Sequence, residues 1–211
     1  MVETSLSYMK LQYNSSQSKF LLNTIVEEYS MNYQDLLKAK EYFEKIAEMC
    51  DKIDEGDWWE KPEGMNLTLR DIFQLDIANF IMYLSASDGR LSAEEIQAYR
   101  VITGFGGDDL ESIKRHIKEN NIYSMDFESE PPLIMKLLSK AERNAIMCGA
   151  KFESSILNLL VSFYGVIGQV VISIDGGITY NEKRDFNIIM DTIKGFAADH
   201  DILGDRWALL D

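Results

Sequence analysis

The 211-residue sequence contains only two cysteines, three prolines and two histidines. So few cysteines in a chain of this length argue against a disulfide framework. Cys50 and Cys148 lie at apolar helical positions, where buried free thiols are expected. The scarcity of proline leaves long segments uninterrupted, and these segments show helical periodicity without the alternation that is typical of strands. The sequence therefore predicts an all-α fold.

Basic side chains are also in short supply, since 21 Lys and Arg residues face 35 Asp and Glu residues and the formal net charge is -14. Nucleic-acid backbones and anionic membrane surfaces both attract clusters of Lys and Arg, so neither is an expected partner. The nearest approach to a membrane span, residues 156–174, is interrupted by Asn158 and Gln169 and is predicted to be a buried core helix. No basic stretch followed by an apolar run opens the sequence. We expect a cytoplasmic protein without direct membrane insertion.

No constellation typical of an enzyme is found. His116 and His200 have no neighbouring Cys or Ser in a nucleophile setting, and the phosphate-binding patterns GxxxxGK[ST] and GxGxxG do not occur. The glycine-rich string GFGGDD at 104–109 ends in two acids that would repel phosphate, so it is interpreted as a linker between helices. The sequence predicts a protein that is not an enzyme.

Residues 33–54 carry apolar side chains at alternating spacings of three and four, the pattern of a helix that packs along one face. The stripe consists of Leu36, Ala39, Phe43, Ile46, Cys50 and Ile53. Two partners are open for it: a neighbouring helix of the same chain, or a partner helix in a homodimer. An earlier segment, 4–29, is predicted to be a second helix that forms an antiparallel hairpin with the first.

The run EGDWWEKPEGMN at 55–66 breaks the helical pattern with two glycines and a proline. It is interpreted as the boundary between an N-terminal helical extension, 1–60, and a main helical domain, 66–199. The apolar residues of the tail, 200–211, are expected to dock it onto the body of the protein.

Two adjacent tryptophans, Trp58 and Trp59, lie in this boundary run. At least one of them is expected to fill the seam between the extension and the main domain. An exposed pair would instead form a partner-binding surface, because Trp is enriched at binding hot spots. Both residues are therefore candidate contacts for a protein partner whose identity stays open.

The main domain is predicted to be a succession of helices with recognisable start signals. Thr68 and Asp71 have the spacing of a capping box ahead of an apolar run. Long helices are expected at 131–149, 153–173 and 180–197, and a shorter one at 108–121.

One sequence pattern occurs twice in the main domain: Asp-Gly, then an apolar residue, a hydroxyl residue and a glutamate. The first copy begins at Asp88 and ends at Glu95, and the second begins 87 residues later at Asp175 and ends at Glu182. Each copy is interpreted as a glycine stop after one helix and a capping box before the next. An EF-hand loop is not expected, because most of its early oxygen ligands are missing. Two such corners predict a helical bundle with an internal pseudo-twofold duplication.

The paired pattern L-x-A-x-D-G-x-[LI]-[ST]-x-x-E resembles that of the tellurite-resistance TerB-like family. The resemblance covers residues 66–199, and the first copy, 86–95, matches the pattern more closely than the second, in which Ser173 replaces the alanine. It implies a helical bundle in which the two corners lie near each other. It also implies a protein-interaction module that acts in bacterial stress-response or membrane-associated complexes.

The resemblance further implies a divalent cation bound by Asp88, Glu95, Asp175 and Glu182. Four carboxylates brought together would repel one another unless a cation compensated their charge. A set of oxygen ligands favours Ca²⁺ or Mg²⁺ over Zn²⁺. The alternative is that both glutamates are occupied in capping and that the aspartates cap neighbouring helix ends.

Overall fold

The computed structural model describes residues 33–61, 66–85, 93–104, 126–173 and 180–200. Every regular element in these ranges is a helix. In chain order they are α1 (Tyr33–Glu55), α2 (Leu69–Ser85), α3 (Ala93–Thr103), α4 (Leu133–Met147), α5 (Ile156–Ser173) and α6 (Tyr180–His200). The predicted all-α fold is confirmed for this part of the chain. The helices predicted at 4–29 and 108–121, and residues 201–211 of the tail, lie outside the described residues.

The start of α2 confirms the predicted capping box. The backbone N–H of Thr68 donates to Asp71 Oδ2 at 2.8 Å, and the backbone N–H of Asp71 donates to Thr68 Oγ1 at 3.1 Å. The two side chains also bond each other at 2.7 Å. These reciprocal bonds satisfy amide protons that a helix start leaves without intrahelical partners.

The apolar stripe of α1 is buried within the chain. Its six members have relative exposures between 0% and 6%, and α1 makes its most extensive contact with α5 and further contacts with α2 and α3. The alternative in which this stripe binds a partner helix is wrong, because the neighbouring helices of the same chain already cover it. α1 belongs to the same hydrophobic core as the helices that follow the predicted boundary at 55–66.

α5 is the central helix of this core, and it packs against α1, α2, α4 and α6. By length and composition alone it could cross a membrane, as could no other helix in the described ranges, but core helices of soluble proteins satisfy the same test. Its buried residues include Leu160, Phe163 and Ile167. The predicted core helix is confirmed, with its start at Ile156 rather than at 153.

Aromatic rings in contact run through the core from α1 to the turn at 126–130. Their centroids lie 4.9–6.0 Å apart along the series. At these distances ring pairs stabilise the fold beyond the contribution of their buried area. The series is Phe43, Phe73, Phe163, Tyr164, Phe80, Phe127 and Tyr83. Phe127 thereby anchors an acidic surface turn to α2.

Candidate functional site

The turn at residues 56–59, here called the tryptophan turn, ends α1 as a Schellman motif. The N–H of Trp58 donates to the carbonyl of Ile53 at 3.2 Å, and the N–H of Asp57 donates to that of Asp54 at 3.1 Å. Asp57 has a φ of 51°, so it fills the left-handed position that glycine usually occupies in this motif. The turn thus returns Trp58 towards the end of α1, where it packs against the core.

Gly56 is needed in this turn because of space. A Cβ atom at residue 56 would lie 2.4 Å from Cε2 and 2.5 Å from Cδ2 of Trp58. No real Cβ contact is that short, so the indole of Trp58 lies directly against the backbone of Gly56. Contact with Gly56 therefore fixes the ring of Trp58, although Trp58 itself is only half-buried.

Trp59 faces the interior, with a relative exposure of 7%. Its Nε1–H donates to Asp54 Oδ1 at 2.6 Å, and the second oxygen of Asp54 accepts the backbone N–H of Leu69 at 2.9 Å. One carboxylate thus joins the end of α1, the tryptophan turn and the start of α2. The expectation that at least one tryptophan fills this seam is confirmed by Trp59.

A second helix end lies beside the tryptophan turn. α4 also ends in a Schellman motif, in which Gly149 has a φ of 91° and the N–H of Ala150 donates to the carbonyl of Ala145 at 2.9 Å. The side-chain amide of Asn144 donates to the carbonyl of Trp58 at 3.1 Å. Two helix C-termini are thereby held side by side.

Between these two helix ends lies an open depression of about 500 Å³, here called the Trp58 depression. Its lining residues are Lys52, Glu55, Gly56, Trp58, Ala150, Lys151 and Phe152. Lysines next to helix C-termini are favourable, because the C-terminus carries partial negative charge. Among these described residues there is no His, Cys or Ser, and Glu55 is the single carboxylate. The depression is suited to packing an apolar group between lysines, and its described lining offers neither a nucleophile nor a set of metal ligands.

The predicted cation ligands fall mostly outside the described structure. Asp88 and Asp175 lie outside the described residues, and Glu95 and Glu182 belong to α3 and α6 without a description of their side chains. Within the ranges that the structure does describe, no group of three or more His, Cys, Asp or Glu side chains is placed to hold a metal ion. The cation site therefore remains a prediction.

Two fully buried acids, Asp76 and Glu142, were not predicted from the sequence. Asp76 Oδ2 accepts the backbone N–H of Ile134 at 2.6 Å, and Glu142 Oε1 accepts that of Ile156 at 3.0 Å. Each acid therefore caps the first turn of a helix from a distance in sequence, where negative charge is favoured. The one signal available was an acid inside an apolar run, as in IFQLDIANF, and such a signal does not name the partner.

The two cysteines differ in their surroundings. Cys50 is a buried free thiol as predicted, and burial raises the pKa of its thiol well above the usual range. Cys148 is exposed, so the prediction of a buried thiol there is wrong: the residue is the C-cap of α4, beyond the helical face that packs on the core. His200 lies at the end of α6 and stacks on Phe196, with centroids 4.1 Å apart.

Comparisons of the chain with protein-family models, with curated proteins and with solved structures find no significant match. The resemblance to TerB-like proteins therefore rests on the paired corner pattern alone. The function that this resemblance implies is a proposal.

Proposed function

We propose that the protein is a non-enzymatic, TerB-like helical module that binds a partner protein through the Trp58 depression. The observation that carries the proposal is the half-buried indole of Trp58, which lines an open depression together with Phe152. Trp anchors dominate the energetics of many interfaces because they bury a large area at a small cost in conformational entropy.

Preorganisation supports this choice of surface. Contact with Gly56, the Schellman bonds of the turn and the bond from Asn144 hold the indole and backbone of Trp58 before any partner arrives. A rigid anchor loses little freedom on binding, and this lowers the cost of association. Lys52 and Lys151, both exposed, flank the anchor and favour a partner whose contact surface is acidic at its rim.

The resemblance to TerB-like proteins supports a setting for this interaction, namely a bacterial stress response in the cytoplasm. The excess of acidic residues supports a protein partner over a nucleic acid, because phosphate binding requires basic clusters.

Affinity purification of the tagged chain from its source cells, grown with and without tellurite, tests the proposal. Proteins captured by the wild type should be lost with Lys52→Glu/Lys151→Glu and with Trp58→Ser, provided that thermal melts show both variants to be folded. Ile188→Ser is the matched control, since Ile188 is an exposed apolar residue of α6 outside the depression. Capture of the same proteins by all variants, or of none by the wild type, contradicts the proposal.

A second candidate function is Ca²⁺ or Mg²⁺ binding at the two acidic corners. The observation that favours it is the position of two helix starts: α3 begins at Ala93 and α6 at Tyr180, which repeats the 87-residue offset between Asp88 and Asp175. Two helices that begin at the same distance after Asp88 and Asp175 support the interpretation of the two corners as equivalent. A thermal melt with millimolar cation should show a higher Tm than a melt with chelator, because a ligand of the folded state stabilises it. Absence of this shift, or its persistence in Asp88→Ala/Asp175→Ala, removes the candidate.

A further inference from the structure

A shallow groove follows the exposed face of α5, between α1 and α6. α5 packs against both of these helices, and its outward residues, among them Val161, Gly165 and Val166, form the floor of the groove. The groove has a volume of about 400 Å³. Its floor extends from Val161 to Gln169, or about 12 Å at the helical rise. We call it the α5 groove.

A lysine lies on each of the two walls of the α5 groove. Lys38 lines the α1 wall and Lys194 the α6 wall, and none of the eleven lining residues that the structure describes is acidic. In a chain with 35 acidic and 21 Lys or Arg residues, a described lining that carries two lysines and no acid has the opposite sign of charge from the chain as a whole. Glu41, next to Lys38 on α1, is paired with Lys45 at 2.7 Å. Neither Lys38 nor Lys194 forms a salt bridge within the described part of the chain.

The floor contains a glycine that packing does not require. A Cβ atom at Gly165 would meet only the terminal methyl of Met190, at an ordinary 3.6 Å, whereas one at Gly168 would lie 2.0 Å from the ring of Phe186. Glycine inside a helix is less stable than alanine. Gly168 is therefore explained by close packing of α5 and α6, but Gly165 is not. The absence of a side chain at Gly165 leaves the floor of the groove open. Residues that are unfavourable for local stability are common at functional sites.

We propose that the α5 groove binds an amphipathic helix of a partner protein, with acidic residues flanking its apolar stripe. A helix that lies in a groove inserts side chains at spacings of three, four and seven residues, which matches a floor of about two turns. Carboxylates on the flanks of that helix would face Lys38 and Lys194. This inference rests on the proposed interaction function but uses a surface other than the Trp58 depression, so the two are tested separately.

The test uses the immobilised full chain and a displayed library of amphipathic peptides of roughly 18 residues, a length at which helices form in water. Their apolar stripe is fixed, and their flanking positions are randomised between Glu and Lys. We expect Glu-flanked peptides to be enriched about tenfold over Lys-flanked ones. Lys38→Glu/Lys194→Glu should reverse this preference.

Gly165→Leu and Gly195→Leu provide the matched pair of variants. A Cβ atom at Gly195 meets nothing within 4 Å, and Gly195 does not line the groove. Both changes should leave Tm at or above the wild-type value, but only Gly165→Leu should remove peptide binding. The proposal is overturned if no peptide is enriched, if enrichment ignores flank charge, or if Gly165→Leu binds as well as Gly195→Leu.

Discussion

Oδ1 of Asp54 accepts a hydrogen bond of 2.6 Å from Nε1 of Trp59, inside the seam between α1 and α2. The same carboxylate accepts the first amide proton of α2 through Oδ2. An indole N–H that is removed from water requires an acceptor, and a helix start favours negative charge. One side chain meets both requirements, so Asp54 stabilises the seam on both of its sides.

Replacement of Asp54 by alanine should destabilise the protein by about 2–4 kcal/mol, since it removes two bonds to a charged acceptor and leaves the indole N–H of Trp59 without one. Urea unfolding at neutral pH gives this number. Glu55→Ala is the control, because Glu55 is the exposed neighbour at the same helix end, and it should change the free energy of unfolding by no more than about 0.5 kcal/mol. Equal effects of the two substitutions would refute the assigned role of Asp54.

Adjacent substitutions in the tryptophan turn should have opposite signs. Gly56→Ala brings a Cβ atom into the ring of Trp58 and should cost about 1–3 kcal/mol, with a shift in tryptophan fluorescence as the ring moves. Asp57→Gly relieves a left-handed non-glycine residue and should stabilise by about 0.5 kcal/mol. Chemical denaturation of both variants checks the pair. A Gly56→Ala variant as stable as the wild type would mean that Trp58 is not fixed by this contact.

The two cysteines should react at very different rates with a thiol reagent. Attack requires a thiolate, and burial both raises the pKa of Cys50 and excludes the reagent, whereas Cys148 is exposed. In the native protein, one thiol should react rapidly with Ellman's reagent and the second only after addition of denaturant. The rapid phase should vanish in Cys148→Ser and persist in Cys50→Ser. Rapid reaction of both thiols in the native state would contradict the burial of Cys50.

Tyr83 should contribute to the loss of stability in alkali. Burial, assisted by the negative charge of Glu128, raises the pKa of its phenol, so the folded state favours the neutral form. The contribution of Tyr83 is complete below the unfolded pKa of about 10 and is lost as pH rises through and above that value. Between about pH 9 and about pH 11, the wild type should therefore lose more stability than Tyr83→Phe.

The pKa shift of Tyr83 can be separated from its burial by Glu128→Gln. Tyr83 Oη donates to Glu128 Oε1 at 3.3 Å, so removal of this charge should move the pKa of Tyr83 back towards its ordinary value without exposing the ring. A spectrophotometric titration, taken as the difference from Tyr83→Phe, isolates this one phenol. An unchanged pKa in Glu128→Gln would show that the charge of Glu128 does not contribute to the shift.

Local signals predicted the helices of the described chain well. The stripe from Leu36 to Ile53 fixed the buried face of α1, and the spacing of Thr68 and Asp71 placed the start of α2, because both depend on interactions within a few residues. Which helix covers the stripe depends on the tertiary fold. The sequence therefore could not decide between a partner helix in a dimer and a helix of the same chain, which in the structure is α5. The break at Gly56 was predicted too, but the left-handed residue of the turn is Asp57. Gly56 is there for a different reason, because the ring of Trp58 occupies the space beside it.

Only part of the candidate site could be predicted from the sequence. Trp58 and Trp59 were recognised by residue type, yet their opposite environments follow from the tryptophan turn and from the end of α4, where Asn144 lies 86 residues after Trp58. Cys148 was misassigned because periodicity continues past the residue at which α4 ends. The α5 groove has no local signature, since its walls come from helices that are far apart in sequence.

The distant caps at Asp54, Asp76 and Glu142 have a consequence for how the protein opens. Each carboxylate holds the first turn of another helix, so the amide protons of Leu69, Ile134 and Ile156 are protected by side chains from neighbouring helices. Separation of one helix from its neighbour releases a helix start elsewhere in the bundle. These three amides should therefore exchange with deuterium together, at the rate of cooperative subglobal opening rather than at the rate of fraying at a helix end. Three separate amide protons would then report on whether the helices of the bundle are packed together.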